Sequence, residues 1–510
     1  MPIRCILRAV RTLGCLVALA ALVAACGGRS RANPAATVPA GARPAVQLVL
    51  LNDVYVADSA ADGRGGLPRV ASLLDALRAM APTVLVFAGD GLSPSLLSKY
   101  YAGAQMVESL NDLQTRVAAL GNHEFDVDSS SFVQRMRQSN FRWLSANCRV
   151  PGADSRGWDT LRVGGRLLGF VGLTLQASYP RWVRCVEPLG VVAAVVDSLR
   201  TVGASPIIGL THQTIRADSV MLAREPRIDF VLGGHDHDAM RRSLGRRFIL
   251  KSDADAKSAW VIDVSATDEP TAQPRLERID GRLAWQPTLG AQVARWRDSL
   301  LRRLGPDRVV GQLDAPMDLI SENLRNREAP FGSLVADAAR ARTGVDVALI
   351  NGGSARLDDI LPAGPVTRYK LESIFLFADE TRLVQFRATG ARLRALLEHS
   401  FSDAIRRSGG FVHFSGIEVR WTASVPDGNR VVSLTRGGRS VADEDSLTIA
   451  FVPYHACRGG DGYVVPEATE ACRDVDRWPR TVDALIQYIE RDLGGRITAP
   501  PPGRLRLVAP

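Results

Sequence analysis

Gly121-Asn122-His123-Glu124-Phe125-Asp126 follows the short apolar run 116–120. An amide, an imidazole and two carboxylates fall within six residues, where a chain leaving a strand ordinarily needs only a turn. The same arrangement recurs on either side. The run 46–51 (VQLVLL) ends in Asn52-Asp53-Val54-Tyr55, and 83–88 (TVLVFA) ends in Gly89-Asp90. Further on, 206–210 (PIIGL) ends in Thr211-His212, and 229–232 (DFVL) ends in Gly233-Gly234-His235-Asp236-His237. A single Asp after a strand is most often a turn or cap residue. Five polar clusters in order, each after an apolar run, are a pattern. Between the first two runs, 68–80 (PRVASLLDALRAM) has helical spacing. Short continuous apolar strands covered by helices predict a layered α/β domain. In such a sheet the carboxyl ends of the strands line the crevice where ligands bind, so the clusters are expected to converge. Four of the seven histidines lie in them. Carboxylate, amide and imidazole donors together suit divalent transition metals.

The rest of the chain sets bounds on this reading. Its 510 residues make two or three domains. With 46% hydrophobic and 23% charged residues it is neither disordered nor fibrous. A mean hydropathy near zero excludes a multi-span membrane protein. The formal net charge is +9, but the cations are scattered and nearly all arginine. No basic-aromatic stripe appears, so no nucleic-acid partner is expected.

Residues 1–25 carry Arg4, Arg8 and Arg11, no acid, and an apolar run from Leu13 to Ala25, the pattern of a secretory signal peptide. The run ends Val23-Ala24-Ala25-Cys26-Gly27, which resembles the bacterial lipobox. That resemblance implies a lipidated Cys26 anchoring the chain to a membrane it does not span. Residues 26–45 then form a flexible tether. Gly27 in place of Asp favours the outer membrane, so the expected location is the bacterial cell envelope. Of the remaining cysteines, Cys148, Cys185, Cys457 and Cys472 allow three pairings. Sequence proximity favours 148–185 and 457–472 in an oxidising compartment.

The stretch 288–304 (TLGAQVARWRDSLLRRL) predicts a long helix stopped by Gly305-Pro306. We place a first domain at 46–287, a linker helix at 288–308 and a second, mixed α/β domain at 309–510. The second domain restarts with a helix at 331–343 and a strand at 346–350.

The five clusters resemble the calcineurin-like metallophosphoesterases, whose pattern runs D-x-H, GD, GNHE, H, GHxH. GNHEFD with a separate C-terminal domain is similar, more narrowly, to the bacterial and animal 5′-nucleotidases. The resemblance covers about residues 46–497. It implies a four-layer αββα sandwich for the N-terminal domain and a mixed α/β substrate-binding domain after it. It further implies two divalent ions, Zn, Mn, Co or Fe. Asp90 would bridge them, with Asp53 and His237 on one and Asn122, His212 and His235 on the other. His123 would donate to a phosphate oxygen in the transition state, oriented by Asp126. One position departs from the pattern. Tyr55 stands where D-x-H has its histidine, and a phenol with a pKa near 10 is a poorer ligand at neutral pH. A weakened site, tyrosinate ligation, a preference for iron or manganese, and a Tyr55 that merely packs beside the metals all remain open.

In the second half, Arg325-Asn326-Arg327-Glu328, Asn351-Gly352-Gly353-Ser354-Ala355-Arg356, Phe375-Leu376-Phe377 and Arg458-Gly459-Gly460-Asp461-Gly462-Tyr463 follow in order. Arg forks suit phosphate and aromatic faces suit a base. These segments look like the RxREx₃GxL, NGG and GGDGF motifs of the 5′-nucleotidase C-terminal domain. The match implies phosphate contacts from Arg325 and Arg356, Asn351 between substrate and loop, and Phe377 and Tyr463 around the base. Arg327 either joins them or pairs with Glu328 or Glu322.

The leading expectation is hydrolysis of nucleoside 5′-monophosphates by a metal-activated water, with a hinge near 288–310 bringing the two domains together. The alternatives are 2′,3′-cyclic nucleotide phosphodiesterase, UDP-sugar or dinucleotide pyrophosphatase or sulfur-ester hydrolase activity on the same scaffold. A lipid-anchored nucleotide-binding protein with an impaired metal site is a further alternative. The oligomeric state stays open.

Overall fold

The strand Val46–Leu51 is buried at every position, as a strand covered on both faces must be. It pairs in parallel with Thr83–Phe87, which pairs in parallel with Thr115–Ala119. Arg142–Leu144 and Ser155–Arg156 extend that side. Ser258–Val264 and Ala272–Arg278 add antiparallel strands on the other, completing seven. A second sheet of six runs Met240–Leu244, Arg247–Lys251, Phe230–Gly233, Ile207–His212, Arg166–Thr174, Trp158–Val163. All five apolar runs predicted from the sequence are strands in these two sheets.

The sheets face each other across one core, where Leu48, Leu50 and Val86 of the first meet Phe170, Leu210 and Leu232 of the second. Each such side chain contributes about 1.5–3 kcal/mol by leaving water. Helices Leu67–Arg78, Ala104–Asp112 and Ser129–Gln138 cover the outer face of the first sheet, with Leu74, Leu110 and Phe132 in its core. Leu189–Thr201 and Ile215–Arg224 cover the second. The result is the expected αββα sandwich.

Helix Pro287–Leu304 starts where Gln286 caps the Leu289 N–H and stops at Gly305, whose φ of 75° only glycine adopts freely. Its Leu289 and Val293 pack into the core under the first sheet. Beyond it, Val384–Thr389, Ser446–Phe451, Val347–Asn351 and Val412–Ser415 form a mixed four-stranded sheet. Helices Pro330–Thr343 and Thr481–Gln487 share its core. Lys99 of the N-terminal domain donates to Glu372 at 2.8 Å and to Phe375 O at 2.8 Å. Arg480 reaches the same carboxylate at 2.6 Å, so a buried ion cluster joins the two domains.

Cys148 bonds Cys185 and Cys457 bonds Cys472, the pairing expected from proximity. The computed structural model describes residues 44–508 apart from 61, 178, 266–270, 358–359 and 376–381. The leader, Cys26, the tether to residue 43, and Phe377 lie outside the described residues. Among the described residues no helix is long and apolar enough to cross a membrane.

Candidate active site

The carboxyl ends of the strands bring the predicted donors together. Asp53, Asp90 and His212 are all buried, with ligand atoms within 4.8 Å of one another. His212 Nδ1 donates to Ala88 O at 2.7 Å, which turns Nε2 toward Asp90 Oδ2 at 3.0 Å and Asp53 Oδ1 at 3.8 Å. His235 Nδ1 stands 3.2 Å from Asn122 Oδ1, and His237 Nε2 stands 3.4 Å from Asp53 Oδ1. Every ligand position named from the sequence therefore lies in one cluster.

The backbone is strained to make this happen. Asp53, Asp90, His235 and His237 have φ of 51°, 60°, 84° and 63°, a region non-glycine residues rarely occupy. Two glycines admit the close approach. A Cβ on Gly121 would sit 2.1 Å from Asp90 Oδ1, and one on Gly234 would sit 2.6 Å from Ala88 O.

Charge balance fits a cation. His212 Nε2 is buried and faces Asp90 and Asp53 with no well-aligned hydrogen bond to either. Burial alone would lower the His212 imidazole, but Asp90 and Asp53 outweigh it and push it up to about 10. Burial and the neighbouring His212 push His235 down to about 4. Burial tends to raise Asp53, yet His212 and His237 hold it below the usual carboxylate range. Two buried carboxylates, an amide and three imidazoles are a donor set that divalent metals satisfy.

His123 sits beside this cluster. Its N–H donates to Asp90 Oδ1 at 2.8 Å, and its Nδ1 donates to Asp126 Oδ2 at 2.6 Å. Burial pulls the ring down, but Asp126 and Asp90 raise it above the ordinary histidine value. The positive charge of Arg356, from the second domain, works weakly in the opposite direction.

Two supports were quoted or passed over in the sequence without a role. Glu124 is fully buried and accepts from Asp90 N at 2.9 Å, Gly91 N at 2.6 Å, Leu92 N at 3.2 Å and Gly121 N at 2.6 Å. It ties the Gly89-Asp90 loop to the Gly121 loop, and burial beside Asp90 pushes it up to about 7. Lys251 donates to Gly234 O at 2.7 Å, Asp236 Oδ2 at 2.5 Å and Gln213 O, and pairs with Asp218 at 3.0 Å. It thus holds the loops after His212 and around His235 and His237. A lysine ending the apolar strand Arg247–Lys251 was the available signal.

In the second domain, Asn351 is buried, donating to Gly409 O at 2.8 Å and accepting from Ser354, so it fixes its own loop. Arg325 is half-buried after the turn Ser321–Leu324, and Arg356 N donates to Ile374 O at 2.9 Å. Arg327 is 64% exposed and reaches Asp318 at 3.6 Å rather than Glu322 or Glu328. Tyr463 corrects the sequence reading. It was expected to clasp a base, but it is 2% exposed in the core, its Oη donating to Gly410 O at 2.7 Å. Its ring packs in T-shaped contacts with His399, Phe451 and His455 inside the core. The half-buried aromatic of this segment is Tyr454, whose ring covers Gly460.

This sandwich and donor cluster define a phosphoric ester hydrolase. Residues 46–239 match the calcineurin-like phosphoesterase family, and 309–467 match the 5′-nucleotidase C-terminal domain. The chain belongs to the 5′-nucleotidase family, with both of its domains. It is 25% identical over 455 residues to the 5′-nucleotidase of Homo sapiens, spanning 78% of either chain. It is 25% identical over 463 residues to the snake venom 5′-nucleotidase of Naja atra, spanning 79% of this chain and 86% of that one. The 5′-nucleotidase precursor of Thermus thermophilus superposes with a TM-score of 0.73 at 21% identity, covering 91% of this chain and 99% of that one. The sulfate thiohydrolase SoxB of the same organism superposes at 0.67 and 17% identity, covering 93% and 98%. Likeness at these identities is likeness of fold.

Proposed function

We propose that the chain hydrolyses nucleoside 5′-monophosphates to nucleoside and phosphate at the cluster around Asp90. The observation that carries this is the buried cluster of Asp53, Asp90 and His212, with ligand atoms within 4.8 Å of one another, in a chain that carries both 5′-nucleotidase domains. Asp53, Asp90 and His237 would hold one divalent ion, and Asp90, Asn122, His212 and His235 a second, of Zn, Mn, Co or Fe. Such a pair supplies an activated water and neutralises the phosphoryl oxygens.

The remaining work falls to side chains. His123 has its Nδ1 proton committed to Asp126, so its Nε2 proton is available to a phosphoryl oxygen as negative charge accumulates. Asp126 fixes the ring and favours its charged form. Arg325 and Arg356 offer planar forks to the phosphate. Asn351 keeps the loop before Arg356 folded. Phe377 supplies an aromatic face to the base in this reading. The leader and Cys26 support a lipid-anchored enzyme of the cell envelope, and two disulfides support an oxidising compartment.

The test is phosphate release from AMP by the full chain, stripped of metal and then given Mn, Zn, Co or Fe(II), beside His123→Ala. Metal-dependent release that falls by about 10²–10⁴ in the variant is expected. Turnover of 2′,3′-cyclic nucleotides, UDP-sugars or dinucleotides without AMP hydrolysis would overturn the substrate. AMP binding with no turnover under any metal would overturn the enzyme.

A further inference from the structure

The residue two places after Asp53 is a phenol, and it stands among the donor atoms rather than beside them. Tyr55 Oη lies 3.0 Å from His237 Nε2, 3.2 Å from Asp53 Oδ1 and 3.4 Å from Asp90 Oδ2. His237 Nε2 and Asp53 Oδ1 are themselves 3.4 Å apart. Ligands about 2.0–2.2 Å from a shared ion stand roughly 2.8–3.1 Å apart when cis in an octahedron and roughly 3.3–3.6 Å apart in a tetrahedron. The three distances from Tyr55 Oη and the one between His237 and Asp53 fall in that range.

Each contact is within hydrogen-bond reach, but a phenol has one proton to donate and three atoms face it. A hydroxyl donating to a carboxylate closes to about 2.5–2.7 Å, and Tyr55 closes on neither Asp53 nor Asp90. Its oxygen instead keeps a similar distance from three donors. The side chain is also held there. Tyr55 N donates to Asp255 Oδ1 at 3.0 Å, and the ring lies edge-on to His237 and His123 at 5.6 and 6.2 Å.

We propose that Tyr55 Oη is a protein ligand of the metal position formed with Asp53, Asp90 and His237, and that this set selects ferric iron over zinc. The inference rests on the metal-centre reading above. Three oxygens and one imidazole make a harder donor set than the neighbouring position, where His212 and His235 supply two imidazoles. On binding, the Oη–metal bond forms, the O–H bond breaks, and the proton passes to solvent.

The experiment loads the chelator-stripped full chain with ferric iron and compares it with Tyr55→Phe and Tyr55→His. The readouts are visible absorption, resonance Raman scattering and metal content. The wild type is expected to show a phenolate-to-iron charge-transfer band carrying tyrosine ring modes, absent from both variants. Tyr55→Phe should fall from about two ions per chain to about one, while Tyr55→His keeps about two. Competition with zinc should displace iron from Tyr55→His more readily than from the wild type. Identical spectra and metal content in the wild type and Tyr55→Phe would overturn the assignment. So would a second ion bound by Tyr55→His and not by the wild type. Failure of the wild type and Tyr55→His alike to bind any iron, zinc or manganese would overturn the metal centre itself, which separates the two failures.

Discussion

Replacing Lys251 with methionine should cost the chain about 4 kcal/mol of stability at neutral pH and far less in mild acid. Lys251 and Asp218 are both at 0% side-chain exposure, 3.0 Å apart. Methionine fills a similar volume but strands the Asp218 carboxylate. Breaking one side of a buried pair costs about 3–5 kcal/mol. A second route gives the same size. The stranded carboxyl can take up a proton, which at pH 7 costs about 1.4 kcal/mol for each unit above an ordinary pKa near 3.9, or about 4 kcal/mol. Burial already raises Asp218 against the pull of Lys251, so protonation is the accessible escape. The sign follows. The variant's native state holds a proton that its unfolded state lacks, so its stability falls as pH rises, and at pH 5 the loss shrinks to about 1.5 kcal/mol. Urea unfolding of the wild type and Lys251→Met at pH 5 and pH 7 measures both values. Adding Asp218→Leu should recover part of the loss, because it removes the stranded carboxylate while Asp236 and the Gln213 and Gly234 carbonyls still lack their donor. A loss under about 1 kcal/mol at pH 7, or one equal at both pH values, would refute the reasoning.

Asp126→Asn removes a charge that raises His123, so the alkaline limb of kcat against pH should move to lower pH; an unmoved limb would deny Asp126 its role. Glu372→Gln breaks a carboxylate shared by Lys99 and Arg480 at the domain junction. It should destabilise by about 3–5 kcal/mol and separate calorimetric unfolding into two transitions, where a single unshifted transition would count against a coupling role. His413 is buried, which pushes it down to about 4, and its Nε2 donates to Leu324 O at 2.8 Å, next to Arg325. The unfolded chain therefore binds a proton between about pH 6.5 and 4 that the folded chain refuses, and stability should fall by about 3 kcal/mol as pH drops through that window. His413→Gln should flatten that slope, and equal slopes in both proteins would refute it.

Much of the first domain was legible because its strands advertise themselves twice. Each is a short apolar run, and each ends in residues too polar for the turn alone. Helices 68–80, 288–304 and 331–343 appear as Leu67–Arg78, Pro287–Leu304 and Pro330–Thr343, since amphipathic spacing and the Pro and Gly boundaries are local signals. Orientation was not legible. Gly462-Tyr463 looks like an exposed aromatic on a glycine loop, yet the ring turns inward because Gly410 O, distant in sequence, offers the phenol an acceptor. Glu124 was readable as part of a motif, but its four N–H partners come from two loops that only the fold brings together.

The strained positions at Asp53, Asp90, His235 and His237 cost of order 1–3 kcal/mol each, so something must over-determine them. Two buried ions of opposite sign do so from different directions. Glu124 gathers the N–H groups around Asp90, and Lys251 gathers the carbonyls of Gln213 and Gly234. Neither ion has to touch a substrate to be required, because each fixes loops that bear ligands. The consequence is a division of labour along the strand ends. Donor identity is written beside each strand, while donor position is set by charges whose partners lie elsewhere in the chain. Tyr55 then stands out as the residue at these strand ends whose chemistry departs from the motif. Asp255, which takes the Tyr55 N–H, is itself tied to Asp53 by its own N–H at 2.8 Å. The backbone that presents Tyr55 is thereby fixed beside Asp53, as the proposed ligation requires.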